Sequence, residues 1–155
     1  MLMRKNNAGF TLIEVLIALV VLAIGLLGMS SLMMTSMQSN QSAYLRSQAS
    51  LLAYDITERM RANNDQAITT DNYVLSTATS TIADPACSSG ECTPSQQAQL
   101  DLHEWRLALT NSIPGSTASI TRDNLNEYVI TINWSESSAL RQATDTQSFE
   151  VRVNL

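Results

Sequence analysis

The feature that most constrains this chain is an apolar run from Phe10 to Met34, FTLIEVLIALVVLAIGLLGMSSLMM. It contains one charged residue, Glu14, and no Asp, Glu, Lys or Arg follows until Arg46. A helix needs about 20 apolar residues to cross the hydrocarbon layer of a membrane. Val15 to Met34 is long enough, so the sequence predicts a membrane-spanning helix.

The small residue beside this run lies on its amino-terminal side. Arg4 and Lys5 precede Gly9, and the apolar residues start at once with Phe10. An ordinary secretory signal has its small-residue cleavage site after its apolar region, so a signal of that kind does not fit. Cleavage between Gly9 and Phe10 would remove a basic leader, residues 1–9, and leave the hydrophobic helix as the new amino terminus.

Gly9-Phe10 followed by Glu14, the fifth residue after such a cut, resembles a type IV prepilin. The resemblance implies that a prepilin peptidase cuts after Gly9 and then methylates the amine of Phe10. It also implies a type IV pilin-like α+β fold. In that fold the inner half of a long amino-terminal helix spans the membrane, and the helix packs against a small antiparallel sheet with one extra helix.

Glu14 is costly inside a membrane, because an isolated carboxylate there costs about 2.5 to 3.5 kcal/mol on insertion scales. No Lys or Arg lies within a helical turn or two of it. The amine created at Phe10 is a cation at nearly the same depth. In a stack of parallel subunits the amine of one subunit can meet Glu14 of another, which predicts a subunit-docking role. The alternative is a Glu14 that is protonated or extends to the cytoplasmic interface.

Charge is divided unevenly along the chain. After loss of the leader there are 7 basic and 14 acidic residues, a net charge of −7. The net charge of residues 10–62 is zero, so the whole negative charge lies in residues 63–155, which have 11 acidic and 4 basic residues. This acidic head argues against nucleic-acid binding, which needs a positive field. Arg4 and Lys5 predict a cytoplasmic amino terminus and a periplasmic head, in a compartment that oxidises thiols.

Residues 10–62 contain no proline and predict one continuous helix that stops at residues 63–65. Gly25 and Gly28 are weak points where local stretching is cheap. Apolar residues of the outer part recur at steps of four and three, a stripe suited to packing: Leu45, Ala49, Leu52, Ile56 and Met60. The predicted organisation is a leader (1–9), a helix (10–62, with 10–34 transmembrane and 38–62 amphipathic) and a globular head (63–155).

The first part of the head is rich in Ser and Thr and predicts a surface loop over 66–84 with at most one short strand. Its one apolar cluster is Tyr73-Val74-Leu75. Cys87 and Cys92 follow. With only two cysteines in an exported domain, a disulfide between them is the leading interpretation. A zinc site would need more ligands than these two and His103. We expect no metal and no other cofactor.

Thr93-Pro94-Ser95-Gln96 has the form of a helix start, in which Thr93 is the cap and Gln96 completes a capping box. The helix should run to about Ser112. Its buried stripe is predicted at steps of four and three: Ala98, Leu102, Trp105 and Leu109. His103 and Glu104 raise the possibility of acid–base catalysis, and the alternative is a solvated helix face.

The remainder predicts a small antiparallel sheet with strands over 118–121, 128–134 and 149–153. Alternating apolar residues in the last two strands give each one covered face. Arg122-Asp123-Asn124 begins a turn, and 135–146 is predicted as a polar connection. The apolar face of the sheet can cover the stripe of the long helix.

With the whole chain in view, the resemblance narrows to a PilV-type minor pilin. It rests on motifs after the leader: Arg46-Ser47-Gln48-Ala49, Arg59-Met60-Arg61-Ala62-Asn63, the cysteine pair before Thr93-Pro94, Asp101 with Trp105, Pro114-Gly115 and the 128–134 strand. It implies a subunit that helps to start pilus assembly and supports adhesion or twitching motility. The implied partners are other minor pilins, the major pilin, a tip adhesin and prepilin peptidase. The implied location is the inner membrane before assembly and the pilus tip afterwards.

Two other functions stay open at this point. The I-type pseudopilin of type II secretion shares the amino-terminal pattern. A membrane-tethered enzyme or receptor would need a clustered site, but the sequence has one His, no Gly-rich phosphate loop and no nucleophile with a matching base, so we expect no enzyme. The uppermost subunit of a tip has no subunit above it whose Phe10 amine its Glu14 could neutralise. Retention of Glu14 therefore predicts that this chain is not the uppermost subunit of a tip.

Overall fold

The computed structural model describes residues 9–77, 81–87, 92–123, 127–138 and 143–155. The chain divides into two units, Met1–Asn40 and Gln41–Leu155. Helices and strands of the described part follow in chain order: α1 (Leu12–Ala62), α2 (Asn64–Thr69), α3 (Pro94–Ser112), β1 (Thr117–Arg122), β2 (Glu127–Ser138) and β3 (Ala143–Asn154).

In the first unit, α1 presents apolar side chains to all sides. Its large hydrophobic residues are exposed from Leu12 to Met37. Among the described residues, α1 is the one helix whose length and apolar composition allow it to cross a membrane. The helix runs without a break through Gly25 and Gly28. The predicted continuous helix is therefore confirmed, with Leu12 and Ala62 as its ends.

In the second unit, the outer part of α1 forms one wall of the core. Ala49, Leu52, Ile56 and Met60 are buried as predicted, and Leu45 is partly buried against the same cluster. Burial of an aliphatic side chain of this size contributes about 1.5–3 kcal/mol, so this stripe fixes the face of α1 that contacts the other elements.

The second helix of the core, α3, begins and ends where local signals place it. Thr93 Oγ1 accepts a hydrogen bond from the backbone N–H of Gln96 at 3.3 Å, and Gln96 Oε1 accepts one from the N–H of Thr93 at 3.0 Å. This capping box, with Pro94 in the first turn, is the predicted one. The predicted buried stripe is also confirmed: Ala98, Leu102, Trp105 and Leu109.

The three strands form an antiparallel meander in the order β1-β2-β3. The side chains of β2 that face the core are Tyr128, Ile130, Ile132 and Trp134, and all four are buried. On β3 the core-facing residues Phe149, Val151 and Val153 are only partly buried. The predicted α+β fold, a small antiparallel sheet packed on a long helix, is confirmed.

Two local predictions were wrong. Residues 66–69 are not loop, because they belong to α2; Ala67 of this helix is fully buried in the core. The head thus has two helices besides α1 in the described part, where one was expected. Most of 135–146 is strand, since β2 continues to Ser138 and β3 starts at Ala143. The polar residues there pair through their backbones, so they need no alternation of apolar side chains.

Parts of several predictions lie outside the described residues. These parts are the leader residues 1–8, positions 78–80 of the predicted loop, the four residues between the cysteines, Asn124 of the predicted turn, and residues 139–142.

Candidate functional site

The residues of the predicted processing and docking site lie at the start of α1. Gly9 and Phe10 precede the helix, and the Phe10 side chain is 82% exposed. Glu14 lies in the first helical turn and is exposed. From Gly9 to Tyr44 the chain has no Lys or Arg, so the first cation after Glu14 is Arg46. Within the described residues, Glu14 forms no ion pair.

Thr11 caps this end of the helix. The backbone N–H of Glu14 lies 3.1 Å from the carbonyl oxygen of Thr11 and 3.4 Å from its hydroxyl oxygen. The N–H of Val15 donates to the same carbonyl at 3.3 Å. Thr11-x-x-Glu14 is also the sequence of a capping box, a local signal that the sequence analysis missed. A carboxylate at a helix amino terminus is favourable in its own right, which gives Glu14 a second possible role.

A network of charged residues joins the two helices of the second unit. Arg59 on α1 donates to Asp55 Oδ2 at 3.1 Å and to Glu104 Oε2, on α3, at 2.6 Å. Burial by itself lowers the pKa of Arg59, but the hydrogen bond to Glu104 and the charge of Asp55 raise it above its usual value. Arg59 therefore stays charged and links α1 to α3.

Asp101 is the buried end of this network, with 4% of its surface exposed. It accepts a hydrogen bond from the Tyr73 hydroxyl at 2.5 Å and one from Gln97 Nε2 at 2.8 Å, and Arg59 Nη1 lies 3.7 Å away. Burial and the hydrogen bond to Asp101 raise the pKa of Tyr73. A buried carboxylate is stable only when its charge is compensated by such donors.

Asn63, between α1 and α2, extends the network to the start of α3. Its side-chain amide donates to the Tyr73 hydroxyl at 3.2 Å and to the carbonyl oxygen of Pro94 at 2.8 Å. Arg59, Asn63, Gln97 and Asp101 also line a cleft beside Cys92. Because these polar groups bind one another, the arrangement connects α1, the Tyr73 segment and α3 and stabilises the fold.

A second polar cluster holds the short helix α2 against the sheet. Arg122 Nη1 donates to the carbonyl oxygen of Thr70 at 2.8 Å, and its Nη2 donates to that of Ile68. The Tyr128 hydroxyl donates to the carbonyl oxygen of Ala67 at 2.6 Å, and burial raises the pKa of this hydroxyl. These donors satisfy carbonyl groups at the carboxyl end of α2, where a positive charge is also favourable.

The predicted disulfide joins Cys87 and Cys92, whose Cα atoms are 5.5 Å apart. The segment before it is fastened to α3: Gln99 Nε2 donates to the carbonyl oxygen of Ala83 at 2.8 Å, and His103 Nδ1 lies 2.6 Å from that of Ile82. A disulfide that closes so short a loop contributes about 2 kcal/mol. Segment 82–87 is therefore held by hydrogen bonds to α3 and by the disulfide to Cys92.

His103 and Glu104, the pair considered for acid–base catalysis, bind different partners. His103 contacts a backbone carbonyl group, and Glu104 pairs with Arg59. Glu104 is exposed, as the alternative of a solvated helix face predicted, whereas His103 is partly buried, and each residue also connects α3 to another segment. Within the described part of the chain, no group of three or more His, Cys, Asp and Glu side chains is placed to hold a metal ion.

Two models of known protein families match this chain. A family model described as the prokaryotic N-terminal methylation motif matches residues 4–30, and one described as Type IV pilin Tt1218 matches residues 31–103. The chain belongs to the type IV pilin family. No curated protein and no solved structure matches it. The two matched ranges include all of the apolar run, Glu14, both cysteines of this pilin and the network around Arg59 except Glu104.

Membership in the type IV pilin family gives the exposed apolar helix a function. The methylation motif and the long apolar helix fit a pilin that is anchored in a membrane before assembly. The family is one of structural proteins, and it implies processing by a prepilin peptidase and association with other pilins. The predicted pilin identity and the predicted disulfide are thus confirmed.

Proposed function

We propose that this type IV pilin is a PilV-type minor pilin, a structural subunit of the complex that starts pilus assembly and forms the pilus tip. The observation that carries the proposal is Glu14, a carboxylate in an exposed apolar helix with no described ion-pair partner, four positions beyond Phe10. Cleavage after Gly9 and methylation of the Phe10 amine create the missing cation. That amine, supplied by a neighbouring subunit, neutralises Glu14 and sets the axial step between the two.

The cost of an unpaired charge in a membrane favours a neighbouring subunit as the partner of Glu14. A carboxylate that remains unpaired in a membrane costs about 2.5 to 3.5 kcal/mol, and pairing with a cation removes much of that cost. The amine of the same chain lies about one helical turn from Glu14, and in a stack of parallel subunits the amine of a neighbouring chain supplies the partner on assembly. The uppermost subunit has no chain above it whose Phe10 amine its Glu14 could neutralise. Since this chain retains Glu14, we place it below the uppermost subunit of the tip.

The subtype and the partners follow from the motifs after the leader. The Arg59 to Asn63 end of α1, the cysteine pair before Thr93-Pro94 and the strand that contains Trp134 resemble PilV-type minor pilins. The partners in this proposal are other minor pilins, the major pilin and a tip adhesin. The chain resides in the inner membrane with a periplasmic head, residues 63–155, and moves to the pilus tip on the cell surface, where it supports adhesion or twitching motility.

The second candidate is an I-type pseudopilin of a type II secretion system. The match to the methylation motif at residues 4–30 supports it equally, because the amino-terminal pattern is common to pilins and pseudopilins. Affinity purification of the intact chain from cells, followed by identification of stoichiometric partners, separates the two candidates. Pilus components support the minor pilin, and secretion components alone support the pseudopilin.

The mass of the mature chain tests the processing step. Loss of residues 1–9 and the addition of one methyl group are expected in the membrane fraction. A Gly9→Leu variant should keep its leader and be absent from pili, whereas a Gly28→Ala variant, changed at an open position of α1, should mature normally. A chain that enters pili with residues 1–9 still attached would refute the proposal, because it has no free amine at Phe10.

A further inference from the structure

The two outer edges of the sheet differ. Beyond β1, Leu75 pairs with Ile120 through two backbone hydrogen bonds of 2.8 and 2.9 Å. Beyond β3, no strand is paired in the part of the chain that the structure describes. An unpaired edge is a template for another strand, and proteins usually protect such edges with proline, charged side chains, lysine above all, a bulge or a very short strand. β3 contains no Pro or Lys, and its register with β2 is continuous over Ala143–Asn154. Its charged residues Glu150 and Arg152 pair with each other.

The register shows which backbone groups this edge offers. Ile120 directs its N–H and C=O towards Leu75 and therefore away from its β2 partner Ile130. Backbone direction alternates along and across antiparallel strands, so Ile130 bonds to Val151 on β3. It follows that Ser148, Glu150 and Arg152 direct their N–H and C=O groups outwards. We name these three residues the β3 edge.

Directly beneath the β3 edge lies an apolar cleft between the sheet and α1. It is lined by the core-facing residues Phe149, Val151 and Val153 together with Ser50, Ala53, Tyr54 and Thr57 of α1. Tyr54 is 64% exposed and the nearby Leu51 of α1 is 60% exposed. An additional strand beside β3 would place every second side chain over this cleft, where apolar side chains would be removed from water.

The side chains of the β3 edge lie on the face of the sheet opposite the cleft, and this face favours a partner with basic side chains. Arg152 lies 3.2 Å from Glu150 and 3.6 Å from Glu127 of β2, so the three side chains carry one net negative charge. The head as a whole has 11 acidic and 4 basic residues. A strand with basic side chains on this face would be attracted at long range and would find Glu150 opposite it at contact.

We propose that the β3 edge binds an extended segment of a partner protein by strand addition. The segment adds a fourth strand to the sheet, with apolar side chains over the cleft at alternate positions and basic side chains beside Glu150 between them. The backbone groups of Ser148, Glu150 and Arg152 supply the hydrogen bonds, and the cleft and the negative face supply the preference for side chains.

The test uses the full-length chain in detergent and a short synthetic peptide of alternating valine and lysine as the probe. Binding should slow hydrogen exchange at the amides of Ser148, Glu150 and Arg152, and leave the amides of α3 unchanged. A peptide of the same composition in scrambled order should bind at least about tenfold more weakly, as should a peptide in which glutamate replaces lysine. Absence of binding below about 1 mM, or protection that excludes the β3 edge, would overturn the proposal.

Two variants of one residue separate strand addition from charge. Glu150→Pro removes an outward N–H that the sheet does not use, so the strand should persist and affinity should fall at least about tenfold. Glu150→Gln keeps that N–H and should reduce affinity less. A probe methylated on alternate backbone nitrogens tests the same hydrogen bonds without changing the protein, and it should also lose affinity. If Glu150→Pro and Glu150→Gln bound the probe with equal affinity, and the methylated and unmethylated probes also bound the parent chain with equal affinity, no strand would be added.

This proposal does not rest on the role of the chain in a pilus. A chain that retains its leader, or that purifies with secretion components, would have the same β3 edge. Conversely, a chain that enters the pilus tip through Glu14 need not bind the valine–lysine probe. Failure of one proposal is therefore distinguishable from failure of the other.

Discussion

The Tyr73 hydroxyl donates a 2.5 Å hydrogen bond to Asp101, and this bond connects the segment after α2 to the middle of α3. Asp101 in turn lies 3.7 Å from Arg59 of α1. A single buried carboxylate thus joins three parts of the second unit that are far apart in sequence. Because Trp105 of α3 also donates its Nε1–H to the carbonyl oxygen of Leu52 at 2.8 Å, α1 and α3 are fixed by polar as well as apolar contacts.

Tyr73→Phe should destabilise the second unit. The change keeps the ring and removes the donor, which leaves the Asp101 carboxylate buried with one hydrogen bond fewer. A hydrogen bond to a charged group contributes about 1.5–3 kcal/mol, and the free energy of unfolding should fall by that amount. Urea unfolding of the full-length chain in detergent, followed by the fluorescence of the buried Trp105 and Trp134, measures it.

Tyr54→Phe is the matched control for this change. Tyr54 is exposed on α1, so the loss of its hydroxyl should alter the free energy of unfolding by less than about 0.5 kcal/mol. Equal effects of the two substitutions would show that the Tyr73–Asp101 bond contributes nothing to stability.

Stability should fall at alkaline pH. Burial and the bond to Asp101 raise the pKa of Tyr73, and burial raises that of Tyr128. In the unfolded chain a tyrosine loses its proton near pH 10. The protonated hydroxyls of these two tyrosines therefore contribute fully to the free energy of unfolding below about pH 10. This contribution is lost as the pH rises from there towards the higher pKa of the folded state.

The melting temperature as a function of pH measures this loss. It should be nearly constant up to about pH 9.5 and decrease above about pH 10. The decrease should be shallower in Tyr73→Phe, which has one such group fewer. A melting temperature that rises above pH 10, or an identical slope in the variant, would contradict the assignment.

Arg122→Lys tests how α2 is held. The Arg122 side chain is 16% exposed and donates to two carbonyl groups at the end of α2 while it lies 6.0 Å from the Tyr128 ring. A lysine retains the charge but not the planar fork that reaches both carbonyl oxygens. We expect a loss of about 1–3 kcal/mol in the free energy of unfolding.

Arg61→Lys is its control. Arg61 pairs with Glu58 on the exposed surface of α1, and exposed ion pairs contribute about 0–1 kcal/mol. If Arg122→Lys were no more destabilising than Arg61→Lys, the carbonyl contacts of Arg122 would be incidental to the stability of α2.

Elements specified by local sequence could be predicted, and those specified by distant contacts could not. The start of α3 depends on Thr93, Pro94 and Gln96, which are adjacent in the chain, and its predicted bounds are confirmed. The six residues of α2 have weak local signals. Their helix is stabilised by Arg122 and Tyr128, more than 50 positions away, so no local pattern could reveal it.

The same division applies to the candidate sites. The docking role of Glu14 follows from its place in an apolar run, which is visible in the sequence. Asp101 was noticed only as part of a motif beside Trp105, because its donor Tyr73 lies 28 positions earlier. The β3 edge was hidden as well, since residues such as Ser148 are polar and the unpaired state of a strand depends on the order of the whole sheet.

Comparison of Glu14 with Thr11 should distinguish assembly from helix capping. Thr11 accepts the N–H of Glu14, so Thr11→Ala weakens the cap but keeps the carboxylate. If Glu14 serves only as a capping residue, Glu14→Gln should reduce piliation no more than Thr11→Ala does, because a glutamine at this position completes the same capping box, as Gln96 does for α3. If Glu14 pairs with the amine of another subunit, Glu14→Gln should reduce recovery of the chain in sheared pili at least about tenfold, since it removes the charge.

In the same assay Thr11→Ala should remain within about twofold of the parent chain, because a cap contributes only about 1 kcal/mol and the membrane already favours the helix. Mass measurement must show that both variants are cleaved after Gly9, so that each supplies a free amine. Under the docking hypothesis, Glu14→Gln therefore fails as an acceptor while it still offers its own amine to a neighbour. Equal recovery of Glu14→Gln and the parent chain would leave Glu14 without a role in assembly.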